Sequence, residues 1–235
     1  MAYLASELIT NAFTLSNIVA IDLETVSADQ TTLGLRLLNV LLDFKSTDTR
    51  FIPYYDRFTF NMVIGQETYF IPGLNTLECL TFNLGTVRFP MIDMGRREFF
   101  GSARVNNIES LPYSYRFERT KGGANIFLYF LPVDNYVAQL SGKFNLTDVN
   151  LFTDLSLVYD GFYIEYLRYG LMQLLCMEYD KEVSPQKLQQ LLEYETKVMD
   201  TSPPDLYMNK MSTFGAGRSI NYGTVNYGKG WTVPT

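Results

Sequence analysis

The spacing of apolar side chains changes twice along this chain of 235 residues, and that change limits the folds open to it. A helix brings residues three and four apart onto one face, whereas a strand alternates its faces at every residue. A segment written in one period buries its apolar residues poorly in the other conformation. The chain begins in the helical period, passes to the strand period near residue 56, and returns to the helical period after residue 150.

Residues 4–15 place Leu4, Leu8, Ile9, Ala12 and Leu15 on one face, which predicts a short first helix. Ser27 and Gln30 have capping-box spacing, and Leu33, Leu37, Leu38, Leu41, Leu42 and Phe44 follow as a broad apolar stripe. Thr47-Asp48 and the break around Pro53 end that second helix. Phe58, Phe60 and Met62 then alternate as in a strand. Residues 68–71, 77–84 and 87–91 read as further strands, and residues 95–104 as a short helix among them. Residues 113–119 and 125–131 flank Lys121-Gly122-Gly123-Ala124, a hairpin turn in which glycine reaches positive φ at little cost. Residues 136–146 supply one more strand. Helices return over 156–182, with Leu171 to Met177 apolar on nearly every side. The last helix starts at Ser184-Pro185, carries Leu188, Leu191, Leu192, Val198 and Met199 on one face, and stops at Pro203-Pro204. The expected fold is α+β: an antiparallel bundle of four helices from residues 1–55 and 151–201, a β-rich insertion domain at 56–150, and an extended C-terminal arm at 202–235.

The arm has a composition of its own. Phe214-Gly215-Ala216-Gly217 is followed by Asn221-Tyr222-Gly223 and Asn226-Tyr227-Gly228, five residues apart. Such a segment buries too little apolar surface to offset its ordering entropy alone. It carries three cations and one anion, whereas residues 151–201 carry four cations and nine anions. Isolated aromatics beside positive charge point to a docking arm in which Phe214, Tyr222, Tyr227 and Trp231 enter pockets of a neighbouring subunit, with Arg218 and Lys229 beside acidic helices. The plainer reading is a C-terminus without a role.

Chemistry is harder to place. The chain has no histidine, which removes the commonest general base and metal ligand together. Cys79 and Cys176 stand in apolar surroundings and read as free buried thiols without zinc spacing. There is no phosphate-binding G-x-x-x-x-G-K-[ST] loop, and Gly215 to Arg218 lacks the strand and helix of a dinucleotide fingerprint. Carboxylate pairs are the remaining enzymatic option, at Asp22 with Glu24 and Glu193 with Glu195, for a wall-degrading glycoside hydrolase. The first pair falls in a polar loop, and the second points apart on a helix. Catalytic residues, cofactors and metals are therefore not expected. Net charge is −6 without a dense basic stripe, which argues against tight DNA binding. Neither a signal peptide nor a membrane-spanning run is expected. Arg96, Arg97, Arg104, Arg116, Arg119 and Lys121 lie among equal numbers of acids. They read either as a mixed solvated surface or as cations that meet acids of the next protomer.

The order of these elements resembles a known family. Two N-terminal helices ending in Leu41-Leu42-Asp43-Phe44 precede a strand region containing Gly65-Gln66-Glu67-Thr68-Tyr69-Phe70-Ile71-Pro72-Gly73. Glu165-Tyr166-Leu167-Arg168-Tyr169-Gly170-Leu171, Glu178-Tyr179-Asp180 and the Ser184-Pro185 helix follow. Over residues 4–201 this is similar to the head-to-tail adaptors of short-tailed bacteriophages, the tail accessory factors or tubular proteins, including ring proteins of crAss-like phages. The resemblance implies a structural ring of twelve copies beneath the portal protein, at the neck of a virion assembled in the host cytoplasm. Its implied partners are further copies of itself, the portal, and tail, collar or fibre proteins, with DNA sliding through without sequence-specific binding. A collar or fibre-attachment subunit of the virion is a further alternative.

Overall fold

Ser27 starts the long second helix as its spacing with Gln30 demands. Its hydroxyl accepts from the Gln30 N–H at 3.2 Å, and its own N–H donates to the Gln30 side chain at 2.9 Å. The computed structural model describes residues 2–20, 24–101 and 107–201, which lie in one compact unit, Met1–Pro203. The described helices are α1 (Ala5–Leu15), α2 (Ala28–Ser46), α3 (Arg96–Gly101), α4 (Gly161–Glu178) and α5 (Pro185–Thr201). Ten strands lie between α2 and α4.

One four-stranded sheet is antiparallel in the order β1 (Asp56–Asn61), β10 (Val137–Phe144), β3 (Leu74–Leu84), β4 (Val87–Pro90). The second runs β2 (Thr68–Pro72), β8 (Gly123–Tyr129), β7 (Ser114–Thr120), β5 (Ile92–Asp93), with β5 parallel to β7. β6 (Glu109–Ser110) and β9 (Leu131–Pro132) form a short parallel pair. Register follows the alternation of the sequence: Phe58 lies opposite Leu140 and Leu140 opposite Leu80, while Tyr69 lies opposite Ile126. These rows face inward as β3 packs on β7 and β8, closing a core of Met62, Ile71, Leu74, Leu80, Ile126, Leu128 and Leu140. The β7–β8 turn falls at Lys121-Gly122, with Gly122 at φ +80°.

A separate helical core surrounds α4, which buries Tyr163, Tyr166, Leu167, Gly170, Leu171, Leu175 and Cys176 around its circumference. Helices α1, α2 and α5 each pack against it. Gly34 makes the α1–α2 approach close, since a Cβ there would stand 2.5 Å from the Ile9 side chain.

The expected antiparallel four-helix bundle with a β-rich insertion is therefore corrected; of that expectation only the α+β class stands. The described chain has five helices and ten strands in three sheets. Its strands build a core as complete as the helical one, and its helices gather round an axial α4. Apolar periodicity reveals which face of a helix is buried but not which neighbour covers it. Cys79 is corrected as well, being exposed, while Cys176 is buried. Position 79 points outward from β3, because the inward set there is Leu80 and Phe82. The C-terminal arm lies outside the described residues.

The two layers meet along a polar seam. Ser46, at the end of α2, accepts a side-chain hydrogen bond from Asn75 on its carbonyl, and its hydroxyl accepts from the Leu146 N–H at 2.9 Å. Lys143, 2% exposed, donates to the Thr49 carbonyl at 3.0 Å and stands 4.6 Å from the centre of the Tyr55 ring. Burial lowers its pKa. Tyr163 donates to the Phe51 carbonyl at 2.8 Å, and Tyr54 to Asp160 at 2.6 Å.

Two glycines have no room for a side chain. A Cβ at Gly123 would stand 2.2 Å from the Ile71 carbonyl oxygen, and one at Gly142 would stand 2.2 Å from that of Thr76. Gly123→Ala and Gly142→Ala are each expected to cost about 2–3 kcal/mol, because backbone must move. Gly95→Ala, with nothing within 4 Å, is expected to stay within about 0.5 kcal/mol. Urea unfolding midpoints of the three variants check this.

Candidate functional site

The apolar stripe of α5 is only partly covered. Leu191 and Val198 are buried against α4, but Leu188 and Leu192 remain exposed, Leu192 by 54%. With Phe44 of α2, 65% exposed, they border a groove of about 320 Å³ between α2, α4 and α5. Its walls are Leu41, Leu174, Leu188, Leu191 and Leu192, and its polar groups are Lys45, Tyr166, Gln173 and Glu195. Gly170 lets α2 and α4 come together at its base, where a Cβ would meet Leu41 at 3.1 Å.

Lys45 and Glu195 form an ion pair of 2.9 Å whose two side chains are mostly buried. The ammonium also stands 4.3 Å from the centre of the Phe51 ring and 5.6 Å from that of Tyr166. The charge is held among aromatic faces, which attract it through their quadrupoles. Tyr166 is 1% exposed, and its buried hydroxyl has no hydrogen-bond partner among the described residues. Burial, reinforced by the negative charges of Glu195 and Asp48, raises its pKa so that it stays a neutral phenol. The site thus combines apolar walls, one internally balanced ion pair and one unused hydroxyl.

The cations singled out in the sequence lie elsewhere, on α3 and β7. Arg96 reaches Glu118 of the same chain at 3.1 Å, and Arg116 reaches it at 3.8 Å. Arg116 also donates to the Met94 carbonyl at 3.4 Å. Arg97 and Arg119 are exposed. Arg104 lies outside the described residues, as do Phe214, Arg218, Tyr222, Tyr227, Lys229 and Trp231.

The carboxylate pairs do not assemble a reacting centre among the described residues. Glu195 is held by Lys45, whereas Glu193 accepts from Gln189 at 3.3 Å. Asp22 lies outside the described residues. Two other acids have lowered pKa values: Asp48 through its hydrogen bond to the Arg50 side chain, and Asp154 through that from Ser156. Asp93 is raised by burial, an effect that nearby Arg116 opposes.

No protein-family model matches the chain, and no curated protein is significantly similar to it. Among the described residues, no helix is long and apolar enough to cross a membrane.

Sequence reasoning placed Phe44, Leu188 and Leu192 on apolar faces but did not see that they would share an open groove. It missed the roles of Lys45, Tyr166 and Glu195. Lys45 and Glu195 lie 150 positions apart, and no local pattern joins them. Lys45→Met should destabilise the protein by about 1–2 kcal/mol, because Glu195 would lose its partner in a mostly buried setting. Adding Glu195→Leu should recover most of that loss. A double-mutant cycle in thermal or urea unfolding measures the coupling.

Proposed function

We propose that this protein is a non-catalytic structural subunit of a phage neck. Copies of the chain assemble as a ring beneath the portal, complete the DNA-filled head, continue the channel and carry tail, collar or fibre proteins. The observation that carries an assembly role is the open apolar groove of α2, α4 and α5 with its exposed rim. Contiguous apolar surface of this kind marks an interaction site, and burying it in a partner is favourable in proportion to the area removed from water. Further large apolar side chains stand exposed, among them Phe70, Val87 and Ile92 on strands and Phe100 on α3. The placement at a phage neck rests on the resemblance of residues 4–201 to head-to-tail adaptors, and twelve copies is the number that resemblance implies.

Electron microscopy of the purified full chain mixed with portal tests the reading. The expected result is a symmetric ring seated on the portal; particles that neither form nor decorate a ring under any assembly condition would overturn it. Removing residues 205–235 should leave the melting temperature and circular dichroism of the body unchanged and abolish docking. A truncated chain that docks normally counts against a docking role for the arm.

A further inference from the structure

We infer that the groove between α2, α4 and α5 receives an aromatic side chain from residues 221–231 of a neighbouring copy. The inference rests on the ring reading for the occupant's source, and on the groove itself for the occupant's chemistry.

The groove selects by shape and by polarity. Its volume of about 320 Å³ is at the lower limit of ordinary small-molecule pockets, and its leucine walls suit a flat apolar body. Among its lining residues are Tyr166, whose buried hydroxyl has no partner among the described residues, and an ion pair whose carboxylate retains acceptor capacity. A purely aliphatic side chain would cover the walls and offer nothing to that carboxylate. Tyrosine and tryptophan combine an apolar ring with a hydrogen-bonding tip, as this site requires. Neither lysine nor arginine would be favoured, because Lys45 already supplies the cation.

The chain carries that chemistry in the segment following the groove's own wall. Thr201 ends α5, and Tyr222, Tyr227 and Trp231 occur within the 34 residues that follow. Twenty residues separate Thr201 from Tyr222 and can span roughly 65 Å when extended, far beyond the ~16 Å radius of gyration expected of a 200-residue body. Reaching an adjacent subunit in a ring is within that length. Charge agrees: residues 202–235 carry three cations against one anion, and residues 161–201, which span α4 and α5 beside the groove, carry four against seven. Arg218 and Lys229 flank the tyrosines, and Glu193 and Glu178 are exposed on α5 and α4. The aromatic residues would supply the anchor and the charges the approach, since exposed pairs influence encounter more than affinity.

Site-specific photocrosslinking tests this in the full chain. p-Benzoylphenylalanine replaces Leu192 in one copy, which also carries Tyr227→Phe as a mass tag, and this copy is co-expressed with unlabelled native chains. Irradiation followed by mass spectrometry should return Leu192-labelled peptides joined to residues 219–229, or to residues 219–235 when Lys229 is left uncleaved, containing native Tyr227, hence from another copy. Crosslinks that carry only the tagged Phe would show the arm folding onto its own chain and would overturn the inference. Crosslinks confined to other regions, or none, would overturn it too. In a second arm, Leu192→Glu lies at an exposed position and should keep the melting temperature while weakening self-association at least tenfold in sedimentation velocity. Unchanged association with the groove so charged counts against the proposal. Rings that assemble on portal without the intermolecular crosslink would sink this inference and leave the ring reading standing. The crosslink in an assembly that never forms a ring would do the reverse.

Discussion

Burial of α4 on most of its surface is the constraint that organises the helical part of this protein. A helix with Tyr163, Leu167, Leu171 and Leu175 buried, and Tyr166, Gly170 and Cys176 buried as well, leaves only a narrow strip at Glu165, Arg168, Gln173 and Leu174 part-exposed along its middle turns. Covering it requires α1, α2 and α5 at once. The two N-terminal helices must therefore return to a helix that begins more than a hundred residues later. That return closes the chain around the strand layer, whose entry and exit are brought together at the seam.

The seam explains how two cores coexist in one compact unit. Apolar burial alone would permit the layers to slide, since it is non-directional. Hydrogen bonds at Ser46, Asn75, Lys143 and Leu146 are directional, and a buried donor left without an acceptor costs about 1–3 kcal/mol. Asn39 adds a reciprocal pair with the backbone of Val149, at 3.1 and 2.9 Å. At the N-terminus, Tyr3 and Ala5 donate to Asp154 and to the Thr153 carbonyl, fixing α1 to the segment that leads into α4. These contacts position α2 and α4, and hence the floor of the groove.

The groove combines leucine walls with a few polar groups. Its one ion pair is satisfied internally, and burial holds Tyr166 in its neutral form. What is left uncovered is apolar area, beside a buried hydroxyl that has no partner among the described residues. Of the cations of α3 and β7, Arg96 and Arg116 both reach Glu118 of their own chain. The capacity for contact on the strand layer lies in exposed aromatic and aliphatic side chains.

Local pattern determined the elements with good fidelity. Ser27 and Gln30 mark the start of α2, Ser184-Pro185 the start of α5, and Gly122 the hairpin, because caps and turns depend on residues a few positions apart. Strand alternation likewise determined which side chains face the core, as at Phe58 and Leu140. Tertiary structure alone decided the arrangement: that the strands pair into two facing sheets with their own core, and that the helices surround α4. It also decided that Cys79 faces outward and that Lys45 meets Glu195. Leu191 and Leu192 are adjacent, equally apolar and both line the groove, yet one is buried and the other exposed. Successive residues on a helix point in different directions, so the side from which α4 packs on α5 decides which of the two is covered.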